Sequence, residues 1–314
     1  MAVLAGIDIG TNTVRLLVAE VEEGRIVKEL CTQNEIVRLG EGFSLKKAFL
    51  PSAIERAVSA LTRFKETLQK HAQKYPIDDL VVVGTSAVRE AENQAVFLKE
   101  VKEKTGFDIQ VMTGEEEALC TFLGVNMAIQ NESDPMLVID IGGGSTEFIG
   151  AEGETPNFLL STELGVVHLT EKYLKSDPPT SEEIKRLKVA IDKVIKPIGY
   201  HFPPKGLFVG TAGSVTTLAA IDQGMAVYDP EKINGYRLSL AAIHRIFKTL
   251  STMSLAERRK VPGLEKGRED LILAGSLILI GIMELFGYDP VWVSDDGLRE
   301  GVLIDRYLKK YGEE

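Results

Sequence analysis

The sequence predicts an α/β protein made of two related domains, and three observations carry that prediction. The chain has 314 residues, which at ~100–200 residues per domain gives two domains, three at most. Apolar runs of strand length alternate with stretches whose apolar residues recur at helical spacing. The punctuation of the first half restarts in the second: Ile7-Asp8-Ile9-Gly10 recurs as Ile139-Asp140-Ile141-Gly142, 132 residues later. At that offset Asp8 matches Asp140, Thr13 matches Ser145 and Arg15 matches Glu147. Each copy reads as an apolar strand, Asp, Gly, a small hydroxyl-rich turn and another strand, so duplication explains it better than coincidence.

Residues 2–9 read as a buried strand ending at Gly10. Val14 to Val21 is apolar and β-branched, and Glu22-Glu23-Gly24 turns it into a third strand, Arg25–Leu30. From Pro51 to about Lys74 the apolar residues Ile54, Val58, Leu61, Phe64 and Leu68 mark a helix with Pro in its first turn. Leu80–Gly84 is a continuous apolar strand of the kind buried on both faces. Asn93–Lys104 reads as a helix, Phe107–Met112 as a strand, Thr113 as a helix start and Met136–Ile141 as a strand. Residues 1–112 thus spell βββαβαβ. Further on come a helix at Ser181–Ile195, a strand at Leu207–Val209, a small-residue helix after Gly210–Ser214 and a last strand at Val291–Val293. A final helix runs from about Leu298 to Tyr311, apolar at Val302, Leu303, Leu308 and Tyr311. Asp177-Pro178-Pro179-Thr180 is a rigid surface turn. The domains are expected at 1–122 and 123–297, with the 298–314 helix packing back on the first.

Composition bounds the function. Hydrophobic residues at 44% and charged residues at 26% exclude disordered and fibrous classes. Lys+Arg 36 against Asp+Glu 46 gives a net charge of −10, which opposes non-specific binding to nucleic acid or an anionic membrane. A locally basic cleft for a phosphorylated ligand stays open. Leu271–Met283 is 13 residues without a charge, short of the ~18 a bilayer span needs, and reads as a buried core helix. Cys31 and Cys120 can form neither a ligand cluster nor a disulfide framework, and the N-terminus lacks a basic signal region; both fit a reducing cytoplasm. The four histidines show no i, i+4 pair, so no zinc site is expected. A homodimer is the expectation from the frequency of twofold oligomers.

Three turns rich in Gly and Ser or Thr each follow a buried strand: Gly10-Thr11-Asn12-Thr13, Gly142-Gly143-Gly144-Ser145-Thr146 and Gly210-Thr211-Ala212-Gly213-Ser214. Singly such a turn is a hairpin or helix cap. Three together, two of them related by a repeat, suit a ligand with several phosphates, because glycine lets backbone N–H groups approach an anion and hydroxyls add donors. None matches the Gly-Lys-Ser/Thr phosphate loop or the dinucleotide fingerprint. Asp8, Asp140 and Glu147 flank these turns and are the hard-oxygen ligands Mg²⁺ uses beside substrate phosphates; the alternative is that each only braces its turn. Thr113-Gly114-Glu115-Glu116-Glu117 places three acids in a first helical turn. Glu116 fits a capping box with Thr113, and one of the acids can be a general base for water. Arg89, Arg15 and Arg268 are candidate phosphate cations, or surface ion pairs.

Taken together, these motifs resemble the exopolyphosphatase / guanosine pentaphosphate phosphatase (Ppx/GppA) family of the actin-like ATPase superfamily. The resemblance also draws on Thr85-Ser86-Ala87-Val88-Arg89, Pro262-Gly263-Leu264, Leu273-Ala274-Gly275 and Ser294-Asp295-Asp296-Gly297-Leu298-Arg299-Glu300-Gly301. It covers nearly the whole chain in the short two-domain form. It implies two ribonuclease-H-like domains with mixed sheets flanked by helices and the active site in the cleft between them. It implies Glu117 as catalytic base, Asp140 and Glu147 serving Mg²⁺ or the attacking water, and the glycine turns with Arg89 holding phosphates. The implied substrates are inorganic polyphosphate, guanosine pentaphosphate or both. Leu119, His168 and Asn234 depart from the family's usual residues. Two other readings fit the turns: an ATP-dependent kinase of the same superfamily, and a non-hydrolytic alarmone or nucleotide-binding protein.

Overall fold

The structure is a computed structural model describing residues 1–43, 47–129, 135–199, 201–202 and 206–312. The chain divides into two compact units, unit 1 comprising Met1–Met127 with Gly297–Glu314, and unit 2 comprising Ala128–Asp296.

Unit 1 opens with β1 (Ala2–Ile9), β2 (Thr13–Glu22) and β3 (Arg25–Ile36). Glu23 at φ +50° and Gly24 at φ +71° make the two-residue turn that matches strand twist between β2 and β3. Helix α1 (Pro51–Ala72) leads to β4 (Asp79–Gly84), the short α2 (Ser86–Glu90), α3 (Gln94–Thr105), β5 (Ile109–Val111) and α4 (Gly114–Ile129). The sheet order is β3-β2-β1-β4-β5, antiparallel across β1, β2 and β3 and parallel across β1, β4 and β5. Period-two alternation divides its faces. Ala5, Ile7, Ile9, Leu16, Val18 and Val82 pack with Leu61 and Phe64 of α1 and Phe97 of α3. Leu4, Leu17, Val81 and Val83 pack with Cys120 of α4 and with Leu298, Val302 and Leu303 of the terminal helix.

Unit 2 repeats this plan. It contains β6 (Pro135–Ile141), β7 (Thr146–Glu152), β8 (Thr155–Thr162), α5 (Val166–Tyr173), α6 (Ser181–Gly199), β9 (Leu207–Thr211) and α7 (Ala212–Asp222). Then come α8 (Pro230–Ile233), β10 (Arg237–Leu238), α9 (Leu240–Leu250), α10 (Leu255–Arg258), α11 (Ile272–Phe286) and β11 (Val291–Val293). The chain returns to unit 1 as α12 (Leu298–Tyr311). The sheet order β10-β11-β9-β6-β7-β8 is that of unit 1 with β10 added at one edge. The repeat therefore extends beyond residues 7–10 and 139–142 to the strand order of the two sheets. The apolar stretch at 271–283 is α11, buried nearly all round, and Gly287 at φ +76° ends it.

Some expectations need correction. The β3 strand runs past Leu30 to Ile36, and β8 is a strand the sequence reading did not name. Both are edge strands, where polar residues and Pro156 are tolerated and apolar alternation is weak. The helices between 230 and 258 and α5 were likewise not foreseen. Arg89 lies in the helix α2 rather than simply beyond a strand. In α12, Val302 and Leu303 are buried as expected, but Leu308 and Tyr311 are exposed. The turn at 177–180 is braced by Glu183, whose carboxylate accepts from the amides of Lys175, Ser176 and Thr180. The Thr180 amide leads the hydrogen bonds that hold this carboxyl down at about 2. Burial pushes the Cys120 thiol up to about 12, so it stays protonated. No helix of the described residues is long and apolar enough to cross a membrane.

One backbone outlier lies in a motif. Ala212, at the start of α7, has φ +67°, a conformation that costs a non-glycine L-residue roughly 1–2 kcal/mol. Ala212→Gly is expected to raise the unfolding free energy by about 1 kcal/mol in urea denaturation; an unchanged or lower midpoint would show that the turn carries no strain.

Candidate active site

In unit 1 the first turn closes by the Gly10 amide donating to the Thr13 carbonyl at 3.0 Å. Its carbonyls are engaged from behind. Val37 and Arg38 amides donate to Asn12 O at 3.0 and 2.9 Å, and the Gly40 amide donates to Thr11 O at 2.8 Å. Gly40 is required there, since a Cβ would lie 2.3 Å from Thr11 Cγ2. Arg56 of α1 anchors this backing segment through Val37 O at 2.7 Å. Among the described residues the amides of Thr11 and Asn12 have no acceptor. A turn with bonded carbonyls and unengaged amides is an anion cradle. Thr85, capping α2, donates its amide and hydroxyl to Ile9 O, and the Thr11 and Ser86 hydroxyls lie 3.3 Å apart, so α2 and the turn form one piece.

Helix α4 supplies the carboxylate. The Thr113–Glu116 capping box is present: the Thr113 amide donates to Glu116 Oε2 at 2.7 Å and the Glu116 amide to Thr113 Oγ1 at 3.2 Å. The Thr113 amide leads the interactions that lower the Glu116 carboxyl's pKa. Glu115 and Glu116 are exposed, whereas Glu117 is only 6% exposed. Arg89 donates Nη1 to Glu117 Oε2 at 3.1 Å and to Met112 O at 2.7 Å. Its Nε and Nη2 have no acceptor among the described residues. Asp8 is buried near the end of β1, paired in register with Arg15 of β2. Arg15 is half-buried, and its guanidinium has no hydrogen-bond or ion-pair partner among the described residues.

Unit 2 builds the same turn. The Gly142 amide donates to Ser145 O at 3.0 Å, while Val166 and Val167 at the start of α5 donate to Gly142 O and Gly143 O at 3.1 and 2.9 Å. Gly165 permits this contact, since a Cβ would meet Gly144 backbone at 2.2 Å. The amides of Gly143 and Gly144 have no acceptor among the described residues. Where unit 1 pairs Asp8 with Arg15, unit 2 pairs Asp140 with Glu147. Glu147 is 1% exposed and accepts from Ser161 Oγ at 2.7 Å. Two carboxylates opposite each other on adjacent strands form a donor set suited to a hard divalent cation.

Two expected phosphate hydroxyls are committed to the fold. Thr146 donates to Leu164 O at 2.6 Å and Thr211 to Asp296 O at 3.0 Å. Ser214 is buried against Gly275 of α11, where a Cβ would lie 2.4 Å from its Oγ. At Thr146 and Thr211 only the main-chain groups are left to meet an anion. Gly213 lies under the Arg268 guanidinium, and a Cβ there would come within 2.0 Å of Arg268 Cζ. Sequence reasoning missed Ser161, the 37–40 backing segment and Gly165.

Comparison with known proteins gives consistent relatives. The family described as "Ppx/GppA phosphatase family" matches residues 17–310. Exopolyphosphatase 2 of Mycobacterium tuberculosis is 33% identical over 316 residues, covering 96% of this chain and 97% of that protein. Among solved structures, the Ppx/GppA family member of Aquifex aeolicus superposes with a TM-score of 0.82 at 32% identity, covering 99% of both chains. An exopolyphosphatase from Cytophaga hutchinsonii superposes at 0.88 with 29% identity, covering 97% of this chain and 98% of that one.

Proposed function

Because the chain belongs to the Ppx/GppA phosphatase family, we propose that it hydrolyses the terminal phosphoanhydride bond of inorganic polyphosphate, releasing orthophosphate, with guanosine pentaphosphate as a second substrate. The observation that carries this reading is Glu117: of three successive acids it alone is buried, and it is held by Arg89. In the proposed reaction Glu117 orients a water and takes its proton as the oxygen attacks the terminal phosphorus, and the shortened chain leaves in line. The unengaged amides of Thr11 and Asn12, with the free edge of Arg89, neutralise charge on the transferred group.

The Asp140–Glu147 pair, half-buried at Asp140 and buried at Glu147, fits a divalent cation by the chemistry of its donors, and Mg²⁺ is the ion we assign to it. When bound, Mg²⁺ supplies further charge neutralisation on phosphate oxygens. Ser161 fixes Glu147 from the strand behind, so this carboxylate keeps its aim as Asp140 keeps the opposing one. Two free thiols suit a reducing cytoplasm as the place of action.

The test is orthophosphate release from long-chain polyphosphate and, in parallel, from guanosine pentaphosphate, with Mg²⁺ and with a chelator. Release from polyphosphate without any acceptor, lost on chelation, is expected. Release that requires an added acceptor would make the protein a kinase, and tight guanosine tetraphosphate binding without turnover of either substrate would make it a binding protein.

A further inference from the structure

Two nearly buried charges of unit 2 have no part in the site described above. Arg258 of α10 is 3% exposed and Glu269 is 4% exposed. Withdrawing both from water is costly unless their geometry is specific. Arg258 donates Nε to Leu250 O at 3.0 Å, Nη2 to Met253 O at 3.0 Å and Nη1 to Glu269 O at 2.9 Å. Glu269 accepts from Arg259 Nε at 2.7 Å and from the Gly267 amide. Burial pushes the Glu269 carboxyl up, but bonds from its own amide, from Arg259 and from Gly267 outweigh this and hold it below the usual range. Gly267 takes φ +90°, a conformation open to glycine.

These bonds converge on residues 267–269, and the side chain between the two clamped positions is Arg268. The segment is also fixed along α7. Gly263, at φ +84°, packs on its far end, where a Cβ would lie 2.4 Å from Ala220 backbone. Arg268 rests on its first turn at Gly213. The Arg268 amide donates to Glu265 O at 3.1 Å, and its Nε pairs with the Glu265 carboxylate. Nη1 and Nη2 have no acceptor among the described residues.

We propose that Glu269 is a positioning residue for substrate binding: with Arg258 on its carbonyl, its carboxylate fixes the 267–269 backbone so that Arg268 presents its terminal nitrogens beside the 210–214 turn to one phosphoryl group. This rests on the reading of that turn as a phosphate site. Glu269 itself touches no substrate and acts only through Arg268.

A double-mutant cycle tests it, with inorganic tripolyphosphate as probe. Dissociation constants are measured by calorimetry without divalent cation for the wild type, Glu269→Gln, Arg268→Gln and the double variant. Glu269→Gln is expected to weaken binding about 10-fold in the wild-type background and less than about twofold in the Arg268→Gln background. In steady state with Mg²⁺ its cost should fall on KM, with kcat within about twofold of wild type. Arg259→Gln removes a donor to Glu269 from an exposed side chain and repeats the cycle, with a loss of about threefold, should Glu269→Gln fail to fold. Equal losses in both backgrounds would overturn the positioning role while leaving the hydrolase reading intact. A wild-type chain that does not bind tripolyphosphate would overturn the phosphate-site reading, and this one with it.

Discussion

Glu117→Gln is expected to lower kcat for orthophosphate release from polyphosphate by about 10²–10⁴-fold, with KM changed by less than about threefold. The substitution is nearly isosteric, and the amide oxygen can still accept from Arg89 Nη1, which in turn keeps its bond to Met112 O. The guanidinium therefore stays in place and phosphate binding is preserved. What disappears is the group that takes a proton from water. Glu115→Gln is the internal control: it sits two residues earlier in the same first turn but is exposed, so its rate should match wild type within about twofold. A Glu117→Gln enzyme within tenfold of the wild-type kcat, or a Glu115→Gln enzyme as impaired as Glu117→Gln, would move the base elsewhere.

That contrast also shows what was legible in the sequence. The residues alone placed three acids in the first turn of a helix and explained Glu116 by capping, but left Glu115 and Glu117 open. Helical spacing fixes which residues share a face, not which face the core takes. Strand–turn–strand punctuation was legible because central strands are apolar on both sides, as with 2–9 and 136–141. Edge strands β3 and β8 were only partly legible or not at all, since one of their sides meets water and polar residues interrupt the pattern. The hydroxyl-rich turns are legible in the sequence, but which of their groups are used up within the fold is not. Thr146 and Thr211 donate their hydroxyls to carbonyls, because polar groups at buried strand ends must be satisfied. The amides that remain unengaged carry no sequence signature beyond the glycines that let them approach a ligand.

Gly301→Ala is expected to have the largest effect on stability, a loss of about 3 kcal/mol or more in urea denaturation. Gly301 lies in α12, where that helix meets α4 of the same unit. A Cβ there would sit 1.6 Å from Cys120 O and 2.4 Å from its carbonyl carbon. Gly124, one turn further along α4, makes the reciprocal contact, with a Cβ position 2.0 Å from Gly297 O. Both clashes are with backbone, so no rotamer change relieves them and the helices must separate. Separation would also strip Leu298, Val302 and Leu303 from the sheet face formed by Leu4, Leu17 and Val83. Because Glu117 lies one turn before Cys120 on α4, Gly301→Ala should lower kcat as well, even at temperatures where the protein remains folded. Gly106→Ala separates steric from conformational cost: that glycine has φ +80° with open space around it, and its replacement should cost only about 1 kcal/mol. If Gly301→Ala proved no more destabilising than Gly106→Ala, the close α4–α12 crossing would not be what holds the base-bearing helix in place.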